Sequence, residues 1–171
     1  IASSKSAGKK INFKSKEYEV TDLEKFDFSK VKIAFFAAGS SIAEKWAPIA
    51  AEKTIVIDNS KFFRKDPQIP LVVPEVNSKE LAHVKHKNII ANANCSVIPI
   101  VVALKPLHDL YSVKRIVAST YQSVSGAGKE AMDELISQTK DYLNDKKINS
   151  KNFTKQIAFN AIPRIDTFLE N

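Results

Sequence analysis

The chain has 171 residues, enough for one domain or parts of two, and its 44% apolar content is ordinary for a globular protein with a core. One cysteine, Cys95, excludes an internal disulfide framework and suits a reducing compartment, and no apolar run approaches the ~18–20 residues that span a bilayer, so cytoplasmic location without membrane association is expected. The net charge of +7 comes almost wholly from scattered lysines, with arginine only at 64, 115 and 164, and no basic stripe interleaved with aromatics, which argues for a solvated surface and against a nucleic-acid partner.

In chain order, Ile1-Ala2-Ser3 reads as the tail of a strand, followed by the small, hydroxylated and basic run Ser3 to Lys10. Ile11 to Phe13 and Tyr18 to Val20 alternate and can pair as a hairpin across Lys14-Ser15-Lys16. Val31 to Ala38 is apolar almost throughout, as expected for a strand covered on both faces. Gly39-Ser40-Ser41 then opens a helix through about Glu52, and Thr54 to Asp58 is the next buried strand. Strand, helix and strand make a βαβ unit with parallel pairing. An irregular stretch with Pro67, Pro70 and Pro74 leads to a short helix, Ser78 to Lys85, with Ser78 as N-cap. Ile89 to Ala91 is a further strand. Val97 to Leu104 starts a helix that Pro106 kinks or closes before Tyr111. Val113 to Val124 alternates and is rich in β-branched residues, which predicts a strand ending in Ser125-Gly126-Ala127-Gly128. Lys129 to Leu143 predicts an amphipathic helix with Ala131, Leu135, Ile136, Thr139 and Leu143 near one face. Residues 144–155 read as a polar loop or disordered insert.

Cys95 lies between the strand and the helix, within Asn92-Ala93-Asn94-Cys95-Ser96. A thiol at a helix N-terminus meets unpaired N–H groups and the positive end of the dipole, which favour the nucleophilic thiolate. A lone cysteine is also commonly an inert buried residue, and the local pattern leaves both readings open. Three strand ends carry small or hydroxylated residues suited to a phosphate or nicotinamide: Ser3 to Gly8, Ala38 to Ser41, and Ser125 to Gly128. Each alone is also what a plain tight turn looks like, and the G-x-G-x-x-G fingerprint is absent. Arg64 can offer a guanidinium fork to an anion or be a solvated loop residue. Gln122 can orient a carbonyl or be an ordinary polar residue of a strand. His83, His86 and His108 are read as surface residues, and no metal-ligand spacing exists.

Asn92 to Ser96 followed by Val101 to Leu107, together with Ser119 to Gly128, Pro70 to Asn77 and Phe159 to Pro163, resembles aspartate-semialdehyde dehydrogenase along the whole chain. The resemblance implies NADPH-dependent conversion of aspartyl phosphate to aspartate semialdehyde through a cysteine thioester, with release of phosphate. It implies a small-molecule acyl phosphate or semialdehyde and phosphate as ligands, and a homodimer. By the same resemblance Cys95 is the nucleophile and Gln122 orients the acyl intermediate. Arg64 and Asn94 match substrate and phosphate ligands. Ser3, Lys5 and Ser6 match the segment that holds the adenosine 2′-phosphate of NADP. Ala38, Gly39, Ser40, Asn59, Ser125 and Gly126 match positions along the cofactor. No metal is implied.

The resemblance also implies an α/β chain: an incomplete Rossmann-like parallel-sheet NADP-binding domain over residues 1–94, lacking its first strand and glycine-rich loop, joined to part of an α+β catalytic and dimerisation domain over 95–171. The segment with the family's catalytic histidine is not matched, so the chain alone is expected to be inactive. The alternatives are another acyl-phosphate reductase, such as one acting on N-acetylglutamyl phosphate, and a non-catalytic remnant that binds a nucleotide or a partner.

Overall fold

The computed structural model describes residues 1–163, without the side chains of Lys85 and His86. The chain divides into two compact units, Ile1–Ile116 and Val117–Asn171.

The first unit opens with a hairpin, β1 (Lys10–Phe13) and β2 (Lys16–Glu19), paired antiparallel with Ile11 opposite Tyr18. Lys14 and Ser15 both adopt left-handed backbone, which gives the tight turn its twist. Of the strand tail expected at the N-terminus, the structure keeps a single parallel bridge from Ala2 to Asp22.

Four parallel strands follow, in the order β3 (Ile33–Phe36), β4 (Ile55–Asp58), β6 (Ile89–Asn92) and β5 (Leu71–Val72). One face is dry. Ala34, Phe36, Val56, Ile89 and Ala91 pack there with Phe28, Phe63 and Ile69 under helix α1 (Ser40–Ala51). Ala43, Ala47, Ala50 and Ala51 recur at helical spacing, and their small side chains let α1 lie close on the sheet. The other face is wet at β3 and β4: Ile33, Phe35 and Ile55 are exposed, Phe35 by 77%. The expectation of burial on both faces therefore holds for one face of β3 only, although Val72 of β5 is buried on the second.

Short elements connect these strands. Pro74–Asn77 is helix α2, and Ser78–His86 is a 3-10 helix in which Asn77, not Ser78, holds the cap position. Asn77 turns its side chain back instead, accepting from Val73 N–H at 2.8 Å and donating to Leu71 O at 2.9 Å. Helix α3 (Val97–Tyr111) accommodates Pro106 and stops at Ser112, which is left-handed.

The second unit contains no strand among the described residues. Residues 112–123 are irregular, Val117 is 80% exposed and Tyr121 98% exposed. The alternation there is real, but a strand also needs a neighbour for its N–H and C=O groups, and none is present among the described residues. A 3-10 turn (Val124–Ala127) and left-handed Gly128 open α4 (Lys129–Leu143). Its buried face is Ala131, Glu134 and Gln138, whereas Ile136 and Leu143 are exposed. Glu134 accepts from the N–H groups of Lys151 and Asn152, and the Gln138 oxygen accepts from Ile157 and Ala158 N–H. These two polar side chains tie down the 149–158 segment, which satisfies its backbone in place of strand pairing.

Candidate active site

Three parallel strands, β3, β4 and β6, are adjacent and end on the same side of the sheet, where ligands of such sheets bind. From β3 come Ala38 and Gly39, both exposed, and Ser40, half-buried. Gly39 has φ 92°, a conformation that L side chains rarely adopt, and it turns the chain so that α1 starts at Ser40. A side-chain carbon added at Gly39 would meet only open space, so room exists above the start of α1.

From β4 come Asp58, Asn59 and Ser60. Asp58 is fully buried, and its two oxygens accept from Ser60 N–H at 3.0 Å and Ser60 Oγ at 2.7 Å. This clamp turns the chain and leaves Asn59 exposed beyond the strand. The following 3-10 turn, Phe62–Lys65, carries Arg64 back against the sheet edge. Arg64 Nε donates to Asn92 O at 2.9 Å, and Nη2 donates to Asn59 O at 3.2 Å. Asn92 Nδ2 donates to Asn59 Oδ1 at 2.7 Å. Arg64 is therefore an ordered, half-buried cation and not a solvated loop residue.

From β6 come Asn92, Ala93, Asn94 and Cys95. Asn94 Oδ1 accepts from Ser96 N–H at 2.9 Å, and Asn94 O accepts from Val97 and Ile98 N–H at 2.9 and 3.1 Å. Asn94 thus closes the turn that leads into α3, and Cys95 lies exposed in that turn, just ahead of Ser96 at the cap position. Cys95 is therefore not the buried residue that a lone cysteine often is.

The remaining expected residues lie elsewhere. Ser3 and Lys5 are exposed around a 3-10 turn, Ser4–Ser6, that the hairpin holds through Gly8 N–H to Val20 O at 2.9 Å. Gln122, Ser125 and Gly126 are exposed residues of the second unit; Thr120 Oγ1 donates to Gln122 Oε1 at 3.1 Å, and the Ser123 and Ser125 hydroxyls are 2.6 Å apart. His83 and His108 are exposed, as read from the sequence, and His86 concerns a side chain outside the described residues. Among the described residues no His, Cys, Asp and Glu group could hold a metal ion. No helix of the described residues is long and apolar enough to cross a membrane. A cleft of about 520 Å³ lined by Pro67, Gln68, Pro70, Glu80, His83 and Lys87 lies by the amino ends of β5 and β6, opposite the candidate site. Asn92 was missed by sequence reasoning. Its only local signal is its place at the end of a strand, and its pairing with Asn59 depends on β4–β6 register.

Residues 1–84 match the family model described as semialdehyde dehydrogenase, NAD binding domain, and residues 104–171 match the semialdehyde dehydrogenase, dimerisation domain. The chain belongs to the semialdehyde dehydrogenase family. Among its relatives in this family, aspartate-semialdehyde dehydrogenase of Shewanella sp. is 52% identical over 100% of this chain and 51% of its own length. Aspartate-semialdehyde dehydrogenase 2 of Vibrio cholerae is also 52% identical, over 100% of this chain and 51% of its own. The crystal structure of Vibrio cholerae aspartate semialdehyde dehydrogenase II complexed with ASA matches with a TM-score of 0.92 and 51% identity, covering 98% of this chain and 50% of that one. A probable aspartate-semialdehyde dehydrogenase of Pseudomonas aeruginosa matches with a TM-score of 0.76 and 30% identity, over 96% of this chain and 50% of that one. This semialdehyde dehydrogenase chain spans about half the length of the curated relatives it matches.

Proposed function

We propose that this chain supplies the nucleophile and much of the cofactor site of an aspartate-semialdehyde dehydrogenase, which converts aspartyl 4-phosphate to aspartate 4-semialdehyde in amino-acid biosynthesis. The observation that carries this reading is one exposed cysteine opening α3, on the sheet edge where Arg64 is held as an oriented cation. In the proposed reaction the Cys95 sulfur attacks the acyl carbon of the substrate. The carbon–oxygen bond to phosphate breaks, phosphate leaves, and a thioester remains on Cys95. Arg64 and Asn94 hold the anionic substrate and the departing phosphate, and Gln122 orients the thioester carbonyl.

The edge suits a nicotinamide dinucleotide, because left-handed Gly39 leaves open space at the start of a twelve-residue helix whose first N–H groups favour an anion. We assign Ala38, Gly39, Ser40, Asn59, Ser125 and Gly126 to that cofactor, and Ser3, Lys5 and Ser6 to an adenosine 2′-phosphate, which selects NADPH. When bound, NADPH supplies the hydride that reduces the thioester. The domain boundary is placed at Asn94–Cys95, the assembly is a homodimer, and the location is the cytoplasm.

The test is a chimera in which these 171 residues replace the matching half of the Vibrio cholerae relative. It is assayed in the reverse direction with aspartate semialdehyde, NADP and phosphate, beside N-acetylglutamate semialdehyde. Phosphate-dependent reduction of NADP with the first aldehyde, lost by about 10³-fold or more in Cys95→Ser, is expected. Turnover that survives Cys95→Ser, or a preference for the second aldehyde, rejects the reading.

A further inference from the structure

The parallel register that sets Asp58 opposite Ala91 brings the next residues, Asn59 and Asn92, side by side just beyond the paired ladder. Their carboxamides bond at 2.7 Å, with Asn92 donating and Asn59 accepting. The backbone carbonyls of the same two residues receive Arg64, through Nε at 2.9 Å and through Nη2 at 3.2 Å. A guanidinium has five N–H groups in a rigid plane. Here the Nε side is taken up by protein carbonyls, and among the described residues Nη1 has no hydrogen-bond partner. The chain leaves β6 at Asn92 and reaches Cys95 three residues later.

We propose that Asn92 is a positioning residue, which locks the Asn59 carbonyl beside its own so that Arg64 meets an anion only through the Nη end of its guanidinium. The assignment rests on the reading of Arg64 as the anion ligand given above. Asn59 is also held by its own N–H to Phe36 O at 2.8 Å, but without the Asn92 carboxamide nothing fixes its carbonyl beside that of Asn92, the Nη2 bond weakens, and the plane of the guanidinium turns. Charge at the site is unchanged, so the effect falls on geometry and runs through Arg64 alone.

Two measurements test this. In the chimera, with inorganic phosphate as the varied reactant, Asn92→Ala is expected to raise KM for phosphate about tenfold, more than it lowers kcat. The same substitution on an Arg64→Ala background is expected to change that KM by less than about twofold, because coupled residues are non-additive. A full, additive effect without Arg64, or no change in KM, overturns the proposal. The second readout needs no turnover and uses the 171-residue chain itself, whose three arginines keep the spectrum simple. Nitrogen-detected exchange of the Arg64 side-chain protons is expected to speed up at least fivefold in both Asn92→Ala and Asn59→Ala. Unchanged exchange in both also overturns it. A native chimera with no phosphate-dependent turnover defeats the functional reading and leaves this second readout to decide Asn92 by itself.

Discussion

Arg64 shows how much one side chain can be told by its surroundings. Two carbonyls on neighbouring strands fix its guanidinium, and this demands two donors at set angles. A lysine at this position keeps the charge and can serve at most one of those carbonyls in the same geometry. Arg64→Lys is therefore expected to raise KM for phosphate in the chimera by tenfold or more, measured by initial rates over a phosphate series. A response within twofold would return Arg64 to the solvated loop residue that its sequence context allowed. The sequence around Arg64 could not choose between these readings, because the carbonyls that hold it belong to residues five and 28 positions away. Asn94 differs: its side chain accepts from Ser96 N–H only two residues on, a local turn that sequence reasoning did not name.

At the scale of elements, local signals carry through, and so does pairing between neighbours in sequence, in the hairpin and in the βαβ unit, whereas the strand expected at 113–124 has no partner among the described residues. The β1–β2 hairpin, α1, β4 and the limits of α4 follow from turn residues and apolar spacing, which act within a few residues. Residues 113–124 had the composition of a strand, but composition says which face a side chain takes and not whether a neighbour exists. The face of α4 was misread for a related reason. Glu134 and Gln138 are polar, and only their partners at 149–158 make burial affordable. Burial of Glu134 pushes its pKa up, but donors from Asn152 and Lys151 together outweigh this and hold the carboxyl below its ordinary 4.5. A carboxylate whose folded pKa is depressed stabilises the fold above the ordinary value, and that contribution is lost as pH falls through the folded value. The 149–158 segment should therefore stay anchored at neutral pH and loosen only as pH falls below the ordinary carboxylate value through the depressed folded one. Amide NMR signals of Lys151 and Asn152 should report this release, and Glu134→Gln should abolish its pH dependence. Signals of both amides that hold steady all the way down to acid unfolding of the native chain would contradict the anchoring role.

For the whole molecule, the chain by itself is expected to show no dehydrogenase turnover. Among the described residues nothing hydrogen-bonds to the Cys95 sulfur, so no general base or acid is in place for the proton transfers that acyl transfer requires. The reverse assay of the 171-residue chain beside the chimera checks this, and rates within tenfold of each other would show that a residue of this chain manages the proton. The uneven coating of the sheet has a calorimetric consequence. Heat capacity rises on unfolding mainly because apolar surface becomes hydrated, and a chain of this length ordinarily gains about 2 kcal/mol/K. Phe35, Ile33, Ile55 and Leu71 already meet water in the folded chain, and α3 has no buried residue at all. Much of the usual hydration change has thus taken place before unfolding begins. The baseline step across the melting transition should fall well short of the ordinary figure, and the curve of stability against temperature should be correspondingly less bowed, with weakening in the cold setting in only at lower temperature.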